Sequence, residues 1–186
     1  MKSLRTLTLI VSCVGFMTIT TGFSQTKMVG GAPMYPSKDI VSNAVNSKDH
    51  TTLVAAVKAA DLVGTLQGEG PFTVFAPTNS AFEKLPEGTV ATLLKPENKS
   101  KLQSVLTYHV VAGKYNASDL MEWIEKGNGR TELTTVNGDK LTAMMGEGTI
   151  MIKDGNGNVS TVTIADVNQS NGVIHVVDTV VLPSAK

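Results

Sequence analysis

The chain has 186 residues, of which 41% are hydrophobic and 17% charged, and its 16 Lys and Arg residues balance 16 Asp and Glu residues. This length suits one domain preceded by an export signal, and it is enough to bury a core without disulfides or metal ions. The basic residues are scattered along the chain, which excludes a strongly basic nucleic-acid-binding domain and a polybasic membrane patch.

The first 24 residues have the pattern of a secretory signal peptide. Lys2 and Arg5 provide its positive end, residues 7–19 are mostly apolar, and Gly22 and Ser24 are small residues before a cleavage site. We predict cleavage after Ser24 and a mature protein that starts at Gln25 and is secreted, either extracellular or periplasmic. The apolar run is shorter than the roughly 20 residues of a membrane span, so we expect no stable span after cleavage.

A lipoprotein attached through Cys13 is the alternative reading of this segment. Cys13 is the only cysteine, and Ile10-Val11-Ser12 precede it as in a lipid-modification motif. The residues that follow it are more apolar than a lipoprotein tether, so we favour the cleaved signal. The mature protein would then have neither a thiol nor a disulfide.

Residues 25–38 contain Gly30, Gly31, Pro33 and Pro36 without any periodicity, which predicts a flexible lead-in. We expect the folded domain over residues 39–183, followed by a short tail at 184–186. Apolar residues at helical spacing predict helices over residues 39–45, 52–66, 79–85, 86–94, 101–107 and 118–126. Strands are predicted over residues 72–76 and 108–112.

From residue 131 onward apolar and polar residues alternate, which is the period of a strand. Turn sequences at Asn137-Gly138-Asp139 and at residues 154–158 predict two hairpins. The final strand extends from Gly172 to Leu182, where Pro183 ends it because proline cannot donate to a ladder. Helices followed by an antiparallel sheet predict an α+β domain.

The sequence offers no constellation typical of an enzyme or a metal site. The histidines, His50, His109 and His175, are too far apart in sequence for metal-ligand spacing. The run that starts at Asp154 resembles a calcium loop, but Val159 and Ala165 occupy the positions that require glycine and glutamate. We therefore predict no catalytic residues, no metal and no cofactor.

Three motifs together resemble the fasciclin domain family, and the resemblance extends over residues 39–183. In the first motif a strand ends at Pro77 and a helix begins with Thr78 or Asn79 as its cap. The second is Leu106-Thr107-Tyr108-His109-Val110-Val111, and the third is residues 171–183. The structural positions that carry the match, besides the Tyr-His pair, are Thr73, Phe75, Ala76, Pro77, Thr78, Asn79, Phe82, Asn171, Gly172, His175, Asp178 and Pro183.

No repeat of 20–50 residues is present, which predicts a single copy of the domain, and the short signal that ends at Ser24 is typical of bacteria. The resemblance implies a wedge of mostly antiparallel strands with several packed helices. It also implies extracellular adhesion without enzymatic activity, with a surface or matrix protein or a polysaccharide as partner. The alternative is a carrier of an apolar small molecule such as a carotenoid or a lipid, which Met144, Met145 and Met151 would line.

Two adhesive regions of the family align with this chain. One surrounds Tyr108 and His109, and the other corresponds to residues 164–168, where Asp166 is retained and Val167 is an apolar substitute. We expect Tyr108 to be an aromatic anchor and Asp166 a charge at the rim, if both are exposed. The competing expectation is that both regions pack the core, and we predict that His109 and His175 are buried and bonded to the backbone.

Overall fold

The computed structural model describes residues 26–184, and regular elements occupy most of this range. The helices are α1 (Ile40–Ala44), α2 (Thr51–Ala59), α3 (Val63–Leu66), α4 (Asn79–Glu83), α5 (Thr89–Leu93), α6 (Lys99–Tyr108) and α7 (Ala117–Lys126). The strands are β1 (Lys27–Val29), β2 (Ala32–Met34), β3 (Phe72–Pro77), β4 (Val110–Ala112), β5 (Arg130–Thr134), β6 (Lys140–Gly146), β7 (Thr149–Lys153), β8 (Val159–Gln169) and β9 (Gly172–Val177). The predicted signal peptide lies outside the described residues.

Strands β3 to β9 form one sheet in the order β4-β3-β9-β8-β7-β6-β5. All neighbours are antiparallel except β3 and β9, which pair in parallel. The two edges approach each other, because the backbone N–H of Val136 donates to the carbonyl of Val110 at 2.7 Å. The sheet is therefore nearly a closed barrel, and the predicted α+β class is confirmed.

Two hydrophobic cores lie on the two sides of this sheet. Outside it, α1, α2, α3 and α6 pack against β3 and β9 through residues such as Leu53, Leu106 and Ile174. Inside it, α7 buries Leu120 and Ile124 among the inward side chains of β5, β6 and β7. None of the helices in residues 26–184 is long and apolar enough to cross a membrane.

The prediction of a flexible lead-in is wrong for residues 27–34. They form the antiparallel pair β1–β2, and Val29 and Met34 are each only 3% exposed in the outer core. Gly30 and Gly31 both have positive φ, 57° and 74°. This is the backbone that a two-residue hairpin turn requires, so the glycines make a turn between two strands.

Several predicted elements differ in their bounds; the final strand, for example, ends at Val177 and not at Leu182. The helix expected over residues 52–66 is divided into α2 and α3 at Asp61, whose φ is 59°. Tyr108 was expected in a strand, but it is the last residue of α6, and His109 is the C-cap of that helix. The two predicted hairpins are confirmed, and a third turn at Glu147 and Gly148 joins β6 to β7.

Candidate functional site

Tyr108 is fully buried, so the expectation that it serves as an exposed aromatic anchor is wrong. Its hydroxyl donates to the carbonyl of Lys140 at 2.8 Å and accepts from the backbone N–H of Gly155 at 3.1 Å. Burial raises the pKa of this phenol above its ordinary value. Tyr108 thus joins α6 to the two hairpins of the inner core.

His109 is buried and bonded on both ring nitrogens to backbone groups. Nδ1 lies 2.8 Å from the carbonyl of Val105, and the backbone N–H of Val181 donates to Nε2 at 3.2 Å. Because a carbonyl only accepts and an N–H only donates, the ring is neutral with its proton on Nδ1. Burial lowers the pKa of His109 to about 4, although the bond to Val105 opposes the shift.

His175 lies inside the sheet with 0% exposure and stacks on Phe75, at 5.7 Å between ring centroids. Its Nε2 is 2.9 Å from the carbonyl of Tyr115, and the N–H of Asp166 donates to Nδ1 at 3.4 Å. Burial lowers the pKa of this imidazole as well. The prediction that His109 and His175 are buried and bonded to the backbone is confirmed.

The second predicted adhesive region coincides with a bulge in β8, where the register with β9 shifts between Ile164 and Val167. We call residues 165–166 the β8 bulge. Val167 is 1% exposed in the outer core, so it cannot take part in a contact surface. Asp166 has a φ of 54° and is partly exposed, and its Oδ1 accepts from the N–H of Ala117 at 2.6 Å.

Of the four residues expected at adhesive regions, Asp166 alone reaches the surface appreciably. Lys27 lies beside it, because its Nζ donates to the carbonyl of Ala165 at 2.6 Å. The structure does not place Tyr108 and His109 in the surface at this bulge. A chain of core contacts links the two regions: the N–H of Phe75 donates to the carbonyl of His109, and Phe75 stacks on His175, which accepts from the N–H of Asp166.

The remaining motif residues hold elements together. Thr78 caps α4 by accepting from the N–H of Ala81, and the amide oxygen of Asn79 accepts from Thr52 at 3.0 Å. Asn171 accepts from the N–H of Ile40 at 3.0 Å and donates to the carbonyl of Leu66 at 2.8 Å, so it joins α1, α3 and β9.

Other motif positions act in the sheet. Gly172 lies so close to the carbonyl of Phe72 that a Cβ would not fit, which permits the parallel pairing of β3 and β9. The hydroxyl of Thr73 donates to Gly113 at 2.7 Å. Asp178 accepts from the N–H of Thr161 and forms an ion pair with Lys84 at 3.3 Å.

Asp154 is a structural residue whose importance the sequence reading missed. It is 4% exposed and accepts from the N–H groups of Asn156, Asn158 and Leu182 at 2.8–3.0 Å. The sequence does contain a signal for this role, because an Asp side chain in a turn commonly accepts a hydrogen bond from the backbone two residues later. In residues 26–184 no cluster of three acidic, His or Cys side chains could hold a metal ion.

One apolar cavity lies in the outer core, and it is small. It has a volume of about 50 Å³, and its walls include Leu53, Leu66, Phe72, Leu106 and His109. Ligand pockets for drug-sized molecules occupy about 300–1,000 Å³. Met144, Met145 and Met151 do not line this cavity, so nothing in its geometry favours a carrier of carotenoids or lipids.

Comparison with known proteins gives consistent matches over the described domain. A family model described as "Fasciclin domain" matches residues 48–183. Protein sll1483 of Synechocystis sp. is 51% identical over 144 residues, which cover 77% of this chain and 73% of that protein. Cell surface glycolipoprotein MPB83 of Mycobacterium bovis is 34% identical over 152 residues, covering 79% of this chain and 61% of its own length.

A solved structure shares the fold. It contains a FAS1 domain pair from the insect cell adhesion molecule Fasciclin I, and it aligns with a TM-score of 0.68 at 20% identity. The alignment covers 80% of this chain and 51% of the solved chain. The described domain therefore corresponds in size to about one half of that pair.

Proposed function

The chain belongs to the fasciclin domain family, and from this premise we propose that it is an exported, non-enzymatic module that attaches to a surface or matrix protein or polysaccharide. The observation that carries the proposal is the fasciclin domain over residues 48–183, and the similarity to a mycobacterial protein named for the cell surface supports it. The signal pattern of residues 1–24 supports export. N-terminal sequencing of secreted protein should give Gln25, and a product that begins at Met1 or at a lipidated Cys13 would contradict it.

We further propose that the β8 bulge is the point of attachment. Asp166 supports this role because it is charged and partly exposed, and the hydrogen bond from the N–H of Ala117 holds its carboxylate in one orientation. Bulges redirect a side chain out of the regular ladder and are frequent beside functional sites. The neighbouring ammonium of Lys27 gives the same surface a second charge.

The variant Asp166→Asn tests the charge without disturbing the backbone. Asn tolerates positive φ as Asp does and keeps an oxygen that can accept from Ala117. We expect a normal thermal melt and weaker binding of the protein to surface material from its own source. Asp61→Asn is the matched control, since Asp61 also has positive φ, 59°, and is exposed elsewhere in the fold. Equal binding by both variants and the parent would overturn the assignment to the β8 bulge.

A further inference from the structure

A polar cleft of about 490 Å³ lies over β5, β6 and β7. Its floor is the outer face of the sheet, because its residues alternate along the strands with Leu133, Leu141 and Ile152, which are at most 4% exposed in the inner core. The cleft is lined by side chains that include Arg130, Glu132, Thr142, Met144 and Lys153.

The pairing register of β5, β6 and β7 fixes the relative positions of these side chains. Glu132, Thr142 and Lys153 are directly opposite one another on the three strands, and Arg130 is opposite Met144 in the next row. Thr142 and Met144 therefore lie between Arg130 on one side and Lys153 on the other. Since neighbouring strands are about 4.8 Å apart, the backbones that carry these two cations are separated by roughly 10 Å across the sheet.

Two cations, Arg130 and Lys153, and two carboxylates, Glu132 and Asp154, line the cleft, and Lys140 beside it brings the net charge of this region to +1. Glu132 is engaged by Lys140, whose Nζ lies 2.5 Å from its carboxylate. Arg130 adds a weaker, longer-range attraction to the same carboxylate. Among the four ion pairs found within residues 26–184, none includes Arg130 or Lys153, and both side chains are exposed. Asp154 also borders the cleft, but its carboxylate accepts hydrogen bonds from the N–H groups of Asn156, Asn158 and Leu182.

We propose that this cleft binds an acidic polysaccharide, with Arg130 and Lys153 each holding a carboxylate group of the sugar chain. A guanidinium pairs with a carboxylate through two parallel hydrogen bonds, and an ammonium binds it as a point charge. Two cations on strands that are not adjacent suit a polymer with repeated carboxylates better than a ligand with one.

The floor between the cations favours sugar over peptide. The hydroxyl of Thr142 can bond a sugar hydroxyl, and the side chain of Met144 offers a flexible apolar contact for the C–H face of a ring. Acidic peptides bind tightly where anchors enter desolvated pockets, whereas this cleft is wide and lies on a sheet face. The site is separate from the β8 bulge and depends on the proposed export only for access to such polymers.

Binding of the exported protein to immobilised polygalacturonate, with neutral dextran as the comparison polymer, tests the proposal. We expect polygalacturonate to be retained and dextran not, with affinity falling as ionic strength rises to about 0.15 M. The double variant Arg130→Gln, Lys153→Gln should bind about fivefold or more weakly, since two exposed charge contacts are lost. The control is Lys58→Gln, Lys95→Gln, which removes the same charge from exposed positions on other elements.

Loss of affinity in the cleft variant alone would support the site. Equal loss in both variants would show a nonspecific charge effect and overturn it, as would unchanged binding in both. Equally tight binding of polyglutamate would overturn the assignment to a polysaccharide. Because these measurements use a purified polymer, they stand apart from the Asp166 test, and either proposal can fail without the other.

Discussion

At the residue scale, His109 shows what the Tyr-His pair does in this fold. Its ring joins Val105 in α6 to Val181 in the C-terminal segment. We expect His109→Ala to lower the free energy of unfolding by roughly 1–3 kcal/mol, because Val105 and Val181 lose a partner inside the protein. Urea unfolding measures this change. His109→Gln keeps a donor and an acceptor and should lose less, whereas an unchanged midpoint for His109→Ala would contradict the structural role.

The same ring makes stability depend on pH. Burial lowers the pKa of His109 from 6.5 to about 4, so between these values the unfolded chain binds a proton that the native ring does not. The free energy of unfolding must therefore fall as pH falls through this window, by up to about 1.4 kcal/mol per pH unit, and this contribution is fully present above the unfolded pKa.

Proton titration by NMR should give His109 a midpoint near 4 and well below 6.5. In unfolding experiments at several pH values, His109→Gln should show a shallower loss of stability than the parent between these limits. A residual slope is expected from His50 and His175, because burial also lowers the pKa of each. Identical slopes in variant and parent would contradict the assignment.

At the element scale, Asp154 attaches the C-terminal segment to the β7–β8 turn. Its carboxylate organises the β7–β8 turn through Asn156 and Asn158 and also accepts from Leu182 at 3.0 Å. We expect Asp154→Ala to cost about 2–3 kcal/mol, because bonds to a charged acceptor are stronger than neutral ones and several donors lose their partner together.

Hydrogen exchange locates this effect. The amides of residues 179–182 should exchange faster in Asp154→Ala, while those of α2 should change only with global stability. Asn158→Ala is the control, because it removes the side-chain bond to Asp154 at 2.9 Å but leaves the bond to Leu182. If the Leu182 amide exchanges equally slowly in Asp154→Ala and in the parent, Asp154 does not attach the C-terminal segment.

Elements with local signals were predictable from the sequence. The cap at Thr78, the turn at Asn137-Gly138 and the amphipathic helix α7 all follow from short-range chemistry. Two misses also have local causes. Gly30-Gly31 predicts a break in regular structure, but two glycines in succession also favour a hairpin turn. The β-prone residues after Tyr108 predict a strand there, although Tyr108 completes α6.

At the scale of the whole molecule, Tyr108, His109 and Val167 are buried where exposed residues were expected, because burial is a tertiary property. Tyr108 and Val167 lie on opposite sides of the sheet, in the inner and the outer core. Only closure of the sheet and packing of α6 and α2 decide which of these apolar side chains face solvent. The polar cleft was equally invisible, since it depends on the register of β5, β6 and β7 rather than on a motif.

The β1–β2 hairpin provides a test of where the domain begins. Val29 and Met34 are buried in the outer core, and the carbonyl of Gly30 accepts from the N–H of Lys48 at 3.1 Å. Each buried apolar side chain contributes about 1.5–3 kcal/mol relative to exposure. We expect a chain that starts at Tyr35 to be less stable by several kcal/mol, with a lower urea midpoint.

The control for this deletion is a chain that starts at Lys27, which keeps the hairpin and should unfold at the parent's midpoint. The double variant Val29→Ala, Met34→Ala separates packing from chain length, because it keeps the backbone pairing and removes the two buried side chains. Its midpoint should fall between those of the control and the deletion, since the cavities cost stability while the hydrogen bonds remain. Equal urea midpoints for the deletion and the control would show that the β1–β2 hairpin adds no stability and that the domain begins at α1.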